Sequence, residues 1–308
     1  MKMERNALIR FNSISEGHKA FALPPPQHPL ISLINGTTTP VNAEAMADVH
    51  VMNFYKIAYK PDIAGKLRYG QHHYDFDGGG LLFAAPNQII GALDDSLGPA
   101  VCSQYTILLD PGYLDSYPLS RKIKEYGFFD YATNETLHLA PDEEETIISI
   151  FKMIEKELSS RIDEHSHDVV ISQLELLLSF ANRFHKRQFI TRKSVSHDVL
   201  QRLEVLLTDY FTNEDLLSKG VPTVAYLAEN LNLSPSYLSD MLRTLTGQNT
   251  QQLIHDRVIG RAKEMLSTTN LSVREVAYAL GFEYSQSFNK LFKHKTNLSP
   301  LQFRQQFN

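Results

Sequence analysis

Residues 223–247, TVAYLAENLNLSPSYLSDMLRTLTG, and 272–297, SVREVAYALGFEYSQSFNKLFKHKTN, are two copies of one pattern. Ala228 aligns with Ala277 and Asn232 with Gly281 at an offset of 49, and Leu238 aligns with Phe288 and Leu242 with Phe292 at an offset of 50. The step of one is a single extra residue in the second turn. Each copy reads as two short helices around a sharp turn. A small residue (Ala228, Ala277) lets the helices cross closely, and four positions on stands a residue that accepts left-handed backbone, Asn232 or Gly281. Helix starts are written locally: Ser272 with Glu275 is a capping box with Leu271 and Val276 as its apolar staple, Thr223 occupies the matching cap, and Ser234-Pro235 opens the next helix.

At 100° per residue, Phe288, Leu291 and Phe292 share one face of the second copy's second helix, and Gln286, Asn289, Lys290 and Lys293 share the opposite one. In the first copy Leu238, Met241 and Leu242 point inward, with Ser236, Ser239, Asp240 and Arg243 outward. One such stripe is the ordinary solvated face of a globular helix. Two stripes repeated at helix-turn-helix spacing favour a surface that reads something. The stretch between the copies predicts a helix over 250–266, about 25 Å long at 1.5 Å per residue. With the width of the flanking units, that brings the two outward helices near the ~34 Å between successive major-groove faces on one side of B-DNA. After the second copy, Ser299 and Gln302 form another capping box, with Pro300 in the first turn.

Charge follows the same division. The chain carries a formal charge of −5, yet residues 236–308 hold nine Lys/Arg against five Asp/Glu, and the remainder holds 21 against 30. The net negative charge argues against a protein that coats nucleic acid throughout; a basic C-terminal segment is compatible with local contact.

RAKEML, SVREVAYALGF, SFNKLFK and LSPLQFR, in this order and spacing, make residues 200–308 resemble the AraC/XylS family of bacterial transcription regulators. The resemblance implies two helix-turn-helix units joined by a long helix, the second helix of each entering an adjacent major groove. Carried over residue by residue, it puts Ser236, Ser239 and Asp240 at base-reading positions of the first unit, and Ser285, Gln286 and Lys290 at those of the second. Arg243 and Lys293 suit phosphate or groove-edge contacts, and Asn289 lies on the same exposed face. Asn232 stands where the family commonly has glycine, and Phe303 keeps the family's aromatic. Asp240 matches Lys290 in position, so the first unit either offers its carboxylate to a cytosine amino group or binds DNA weakly.

The first 115 or so residues read as short strands separated by Gly, Pro and Asn turns, which suggests a small barrel or sandwich. In this family such a domain is usually cupin-like and serves ligand binding or dimerisation. The expected fold is therefore α+β: a cupin-like β-barrel over 1–140 as effector domain, amphipathic helices over 141–187 for dimerisation, a linker at 188–198, and the AraC-type DNA-binding domain at 199–308. PDEEETIISIFKMIEKELSSRI puts Ile147, Phe151, Ile154 and Leu158 on one face, with acids in the first turn that suit the helix dipole. In the next helix Leu176 and Phe180 lie away from Leu174, Leu177, Leu178 and Ala181, so it packs on two sides, the second against this chain or a partner. HKRQFITRKSVSHD, 185–198, shows no sustained period and reads as a polar connector.

No catalytic residues are expected. Adjacent strand residues point to opposite faces, so His72 and His73 do not readily share a metal, and no metal or cofactor is expected. Cys102 is the only cysteine and reads as a core thiol. Tyr55, Tyr59, Tyr69 and Phe83 either line an effector pocket or fill the core. No signal peptide or membrane-length apolar run stands out, which predicts a cytoplasmic protein. The expected function is a sequence-specific DNA-binding transcription regulator, an activator. Its partners would be double-stranded DNA, a small-molecule effector, RNA polymerase and a second copy of the chain. Two other classes remain: a metal-dependent cupin enzyme with a DNA-binding tail, and a ligand-independent DNA-binding regulator.

Overall fold

A computed structural model describes residues 9–39, 50–61, 67–69, 72–74, 79–90, 103–132, 135–161, 163–191, 193–213 and 220–306. Cys102 and the side chains of Tyr69, His72 and His73 lie outside the described set. The chain is mixed α and β and divides into two compact units, Met1–Gln188 and Phe189–Asn308.

The first unit begins with β1 (Ile9–Phe11), α1 (Ile14–Ala20) and β2 (Ile31–Asn35). It continues with β3 (His50–Met52), β4 (Tyr55–Lys60), β5 (Leu67–Tyr69), β6 (His72–Tyr74), β7 (Gly80–Ala84), β8 (Ile89–Ile90), β9 (Tyr105–Leu109) and β10 (Leu137–His138). These strands form a five-stranded sheet in the order β10-β7-β4-β9-β2, a three-stranded sheet β1-β3-β8 and the hairpin β5-β6. In the large sheet, β4 pairs antiparallel with both neighbours, Ile57 lying opposite Ile107 of β9 and Phe83 of β7. The sequence reading expects a closed barrel, whereas the described strands form separate open sheets. At the β2 edge of the described sheet a helix packs: Asn35 Nδ2 donates to Glu155 Oε1 of α2 (Pro141–Ser159) at 2.9 Å.

The burial of β4 shows why its sequence does not alternate cleanly. Tyr55, Ile57, Ala58 and Tyr59 are all buried, because both faces of the sheet are covered. On one face Tyr105 stacks on Phe151 of α2 at 5.3 Å, and the Tyr59 hydroxyl donates to Glu144. On the other, Phe11, Ile14, Phe21, Met52, Phe54 and Leu108 form a cluster. Tyr55 and Tyr59 thus fill the core, and Phe83 packs on Phe128 and Phe129. Ile147, Phe151 and Ile154 are fully covered, as their spacing predicts. The acidic start of α2 is put to structural use: Glu143 accepts from the Ala140 N–H at 3.0 Å and from Arg187 Nε at 2.9 Å.

Within 185–198, expected as an irregular connector, residues 185–191 and 193–198 are helical instead. α3 runs Ser166–Thr191 and α4 runs Lys193–Thr212. The period is disguised because His185 and Gln188 occupy buried positions. Gln188 earns its place by accepting from the His138 N–H at 2.9 Å and donating to the Thr136 carbonyl at 3.3 Å. On α3, Leu174, Leu177, Leu178 and Ala181 are wholly buried, while Val169 and Leu176 are exposed.

The second unit is helical. After α4 come α5 (Val224–Leu231), α6 (Pro235–Thr246), α7 (Thr250–Thr268), α8 (Val273–Ala279), α9 (Ser285–Thr296) and α10 (Pro300–Arg304). The connector α7 has 19 residues, about 28 Å of helix, slightly longer than the sequence suggests. Among the described residues no helix is long and apolar enough to cross a membrane.

Candidate nucleic-acid interface

The pair α8 and α9 is set by local chemistry at both ends of its turn. Ser272 Oγ accepts from the Glu275 N–H at 3.2 Å, and Glu275 Oε2 accepts from the Ser272 N–H at 2.7 Å. Hydrogen bonding to the Ser272 side chain and backbone holds the Glu275 carboxyl below its usual value, so the ionised cap survives into more acidic solution than a free glutamate would. At the turn, the Phe282 N–H returns to the Ala277 carbonyl at 3.0 Å, with Gly281 at φ +85°. A side chain there would place Cβ 2.7 Å from the Gly220 carbonyl carbon, so position 281 excludes a side chain on space as well as conformation. In α5 and α6 the matching elements are Thr223, whose hydroxyl accepts from the Tyr226 N–H, and Asn232 at φ 58° and ψ 42°.

The inner faces follow the repeat. Ala228, Ala277, Leu238, Leu242, Phe288 and Phe292 are all 0% exposed. Phe288 and Phe292 pack with Ile259, Ala262 and Leu266 of α7, with Val276 and Ala277 of α8 and with Leu280, which caps α8. Burial of one such ring contributes about 2 to 3 kcal/mol, so these two fix how α9 lies on its unit. Phe303 closes the cluster edge-on to Phe292 at 5.5 Å.

The fixed inner face leaves Gln286, Asn289, Lys290 and Lys293 exposed on the outer side of α9, with Ser285 half-buried at its start. Lys293, His294 and Lys295 occupy the last turn, where cations suit the helix dipole. The three differ in what they face. Lys295 Nζ is bonded to Asp256 Oδ1 of α7 at 2.7 Å, and Asp256 Oδ2 accepts from Gln248 at 2.9 Å. Lys295 thereby ties α9 to the connector, while Lys290 and Lys293 remain on the open face. Tyr284, immediately before α9, is 62% exposed. Sequence projection passes over it because it precedes the helix.

The outer face of α6 is built differently. Arg243 is exposed, and Ser236, Ser239 and Asp240 are half-buried. Asp240 Oδ1 accepts from an Arg243 guanidinium nitrogen at 2.7 Å, so the acid that stands in the place of Lys290 is paired one turn along its own helix. Ser239 departs from the expected outward set: its hydroxyl lies 3.0 Å from that of Thr250, which is 0% exposed. The hydroxyl is occupied in joining α6 to the start of α7. That contact spans the turn at Gly247, which a projection of one helix does not capture.

Among the described residues no group of three or more His, Cys, Asp or Glu side chains is placed to hold a metal ion.

Residues 227–306 match a family profile described as a helix-turn-helix domain. Over 82 residues the chain is 37% identical to the raffinose operon transcriptional regulatory protein RafR of Pediococcus pentosaceus, a match covering 27% of this chain and 30% of that protein. It is 36% identical over 81 residues to the arabinose operon regulatory protein of Escherichia coli, covering 26% and 28%. The matched stretch thus spans under a third of either relative's length. Among solved structures, the C-terminal domain of AraT, a response regulator from Geobacillus stearothermophilus, is 29% identical with a TM-score of 0.32, covering 35% of this chain and 84% of that one.

Proposed function

We propose, from the premise that residues 227–306 belong to the AraC-type helix-turn-helix family, that this protein is a sequence-specific DNA-binding transcription regulator. The observation that carries the reading is the outer face of α9, where Gln286, Asn289, Lys290 and Lys293 are exposed together over a fully buried phenylalanine face. In this reading α5–α6 and α8–α9 are two helix-turn-helix units, and α6 and α9 enter successive major grooves. Gln286 is suited to adenine N6 and N7, and Lys290 to guanine O6 or N7. Ser285 and Asn289 flank them, and Lys293 meets phosphate. In the first unit Ser236 and the Asp240–Arg243 pair face the groove, while the Ser239 hydroxyl is committed to Thr250.

Residues 1–140 form the effector-binding region, cupin-like in general plan, and 141–187 the dimerisation helices of a cytoplasmic homodimer. Exposed Val169 and Leu176 on α3, whose opposite face is buried, support a second copy as the partner there. RNA polymerase is the further partner that a transcription regulator of this kind meets. Selection of bound fragments from random duplex DNA tests the central reading. Two half-motifs whose centres lie about 10 bp apart are expected, and one short unpaired motif would count against two reading helices.

A further inference from the structure

The first unit carries a cleft of about 530 Å³ at the open edge of its five-stranded sheet. β2 forms the back, since it pairs with β9 on one side and, among the described residues, ends the sheet on the other. Leu23 and the run Pro24-Pro25-Pro26 line one wall, and the face of α2 carrying Lys152, Glu155, Lys156 and Ser159 lines the other. Small-molecule sites usually measure about 300 to 1,000 Å³, so the space is of ligand size.

Both walls are anchored by the chain itself. His18, 5% exposed, meets the Pro24 carbonyl with Nδ1 at 2.5 Å and the Ser32 hydroxyl with Nε2 at 2.9 Å, which pins the proline wall to β2. The Asn35–Glu155 hydrogen bond pins α2 to the same strand. Prolines also stiffen the wall, because their φ is fixed. The cleft is therefore a preformed space whose wall polar groups are partly committed to holding it open.

The groups left for a ligand are of two kinds. Lys152 and Lys156 are exposed and stand one turn apart on α2, a like-charge i, i+4 pair that weakens its own helix and favours an anion between the ammonium groups. Around them Gln27 offers an amide and Thr39 a hydroxyl, and the hydroxyls of Thr38 and Ser159, which donate to the Asn35 and Glu155 carbonyls, keep lone pairs with which to accept. We propose that this cleft binds a small hydroxylated organic anion, of the sugar-acid or sugar-phosphate class. The lysines take the anionic group, and the amide and hydroxyls take the ligand's own hydroxyls. The regulatory meaning of such binding rests on the effector reading given above; the binding itself rests on the cleft.

The test titrates the full chain at constant ionic strength with D-gluconate and glucose 6-phosphate, using sorbitol and inorganic phosphate as controls. Saturable binding of gluconate or glucose 6-phosphate is expected, at least about ten-fold tighter than either control, and the better of the two tells carboxylate from phosphate. The double variant Lys152→Gln/Lys156→Gln should weaken it about ten-fold, the equivalent of roughly 1.4 kcal/mol. Both side chains are exposed and their mutual repulsion is removed, so the ligand-free variant should melt at the parent's temperature or slightly above it. Absence of saturation, equal binding of inorganic phosphate alone, or an unchanged affinity in the double variant would overturn the site. DNA affinity is then measured on a selected fragment with and without the anion. Ligand binding that leaves DNA affinity unchanged would contradict effector control while supporting the site, and loss of DNA binding under both conditions would contradict the regulator reading instead.

Discussion

In the α5–α6 pair the turn residue is Asn232 and the exposed arginine is tied to an aspartate on its own helix; in α8–α9 the turn residue is Gly281 and the exposed lysines face solvent. Beneath these differences the frame is shared. Ala228 and Ala277, Leu238 and Phe288, and Leu242 and Phe292 occupy matching buried positions. Folding of either pair depends on that inner face, so the outer residues that bind no neighbouring element, unlike Ser239 on Thr250, are free to differ at little cost to the fold. The contrast locates what is specific to each pair: a basic face on α9, and on α6 a face whose charge is internally balanced. It also separates two kinds of turn. Asn232 meets a conformational requirement, whereas Gly281 meets that requirement and a lack of space.

The largest expected effect concerns the turns. Gly281→Ala should destabilise the second unit by on the order of 3 kcal/mol, since left-handed backbone costs about 1 to 2 kcal/mol and Cβ also meets the Gly220 backbone. Asn232→Ala should cost only about 1 kcal/mol. Chemical denaturation of both variants checks the difference, and equal losses would mean the Gly220 contact is of no consequence. A smaller effect is expected at the ion pair of α6. Asp240→Ala removes a negative charge from the proposed groove face and releases Arg243, so DNA binding should tighten roughly two- to five-fold, in keeping with a surface pair worth about 0.2 to 1 kcal/mol. Titration at two salt concentrations measures this; a loss confined to sites with cytosine at one position would instead make Asp240 a base reader. The smallest change belongs to Lys293→Ala, which should lower affinity evenly across sequences and reduce the salt slope by about one unit. A loss that depended on base sequence would contradict a phosphate role.

What could be read from the chain divides by the range of the interactions concerned. Caps need only three or four residues, and those at Thr223, Ser234, Ser272 and Ser299 stand where local spacing puts them. The buried faces of α6 and α9 are equally legible, because helical period alone sorts Leu238 from Ser236 and Phe288 from Gln286. The i, i+3 spacing of Asp240 and Arg243 also carries their pairing. Contacts between distant segments are another matter. Lys295 meets Asp256 across 39 residues, and Ser239 meets Thr250 around a glycine turn, so the first is withdrawn from the open face and the second loses a free hydroxyl. The helices over 185–191 and 193–198 are hidden for a similar reason: His185 looks like a surface residue until Phe128 is stacked on it, and Gln188 until β10 and its flanking backbone are placed beside it. Open sheets in place of the expected barrel are a question of long-range strand pairing, on which turn signals and strand composition are silent.

The central claim is that the exposed face of α9 reads bases. Binding-site selection with the parent chain, Gln286→Ala and Lys290→Ala tests it most directly. The account predicts that each substitution relaxes base preference in one half-site, at a cost of about 1 to 3 kcal/mol for the preferred base, and leaves the other half-site as it was. An identical motif from all three proteins, or an equal loss in both half-sites, would contradict it.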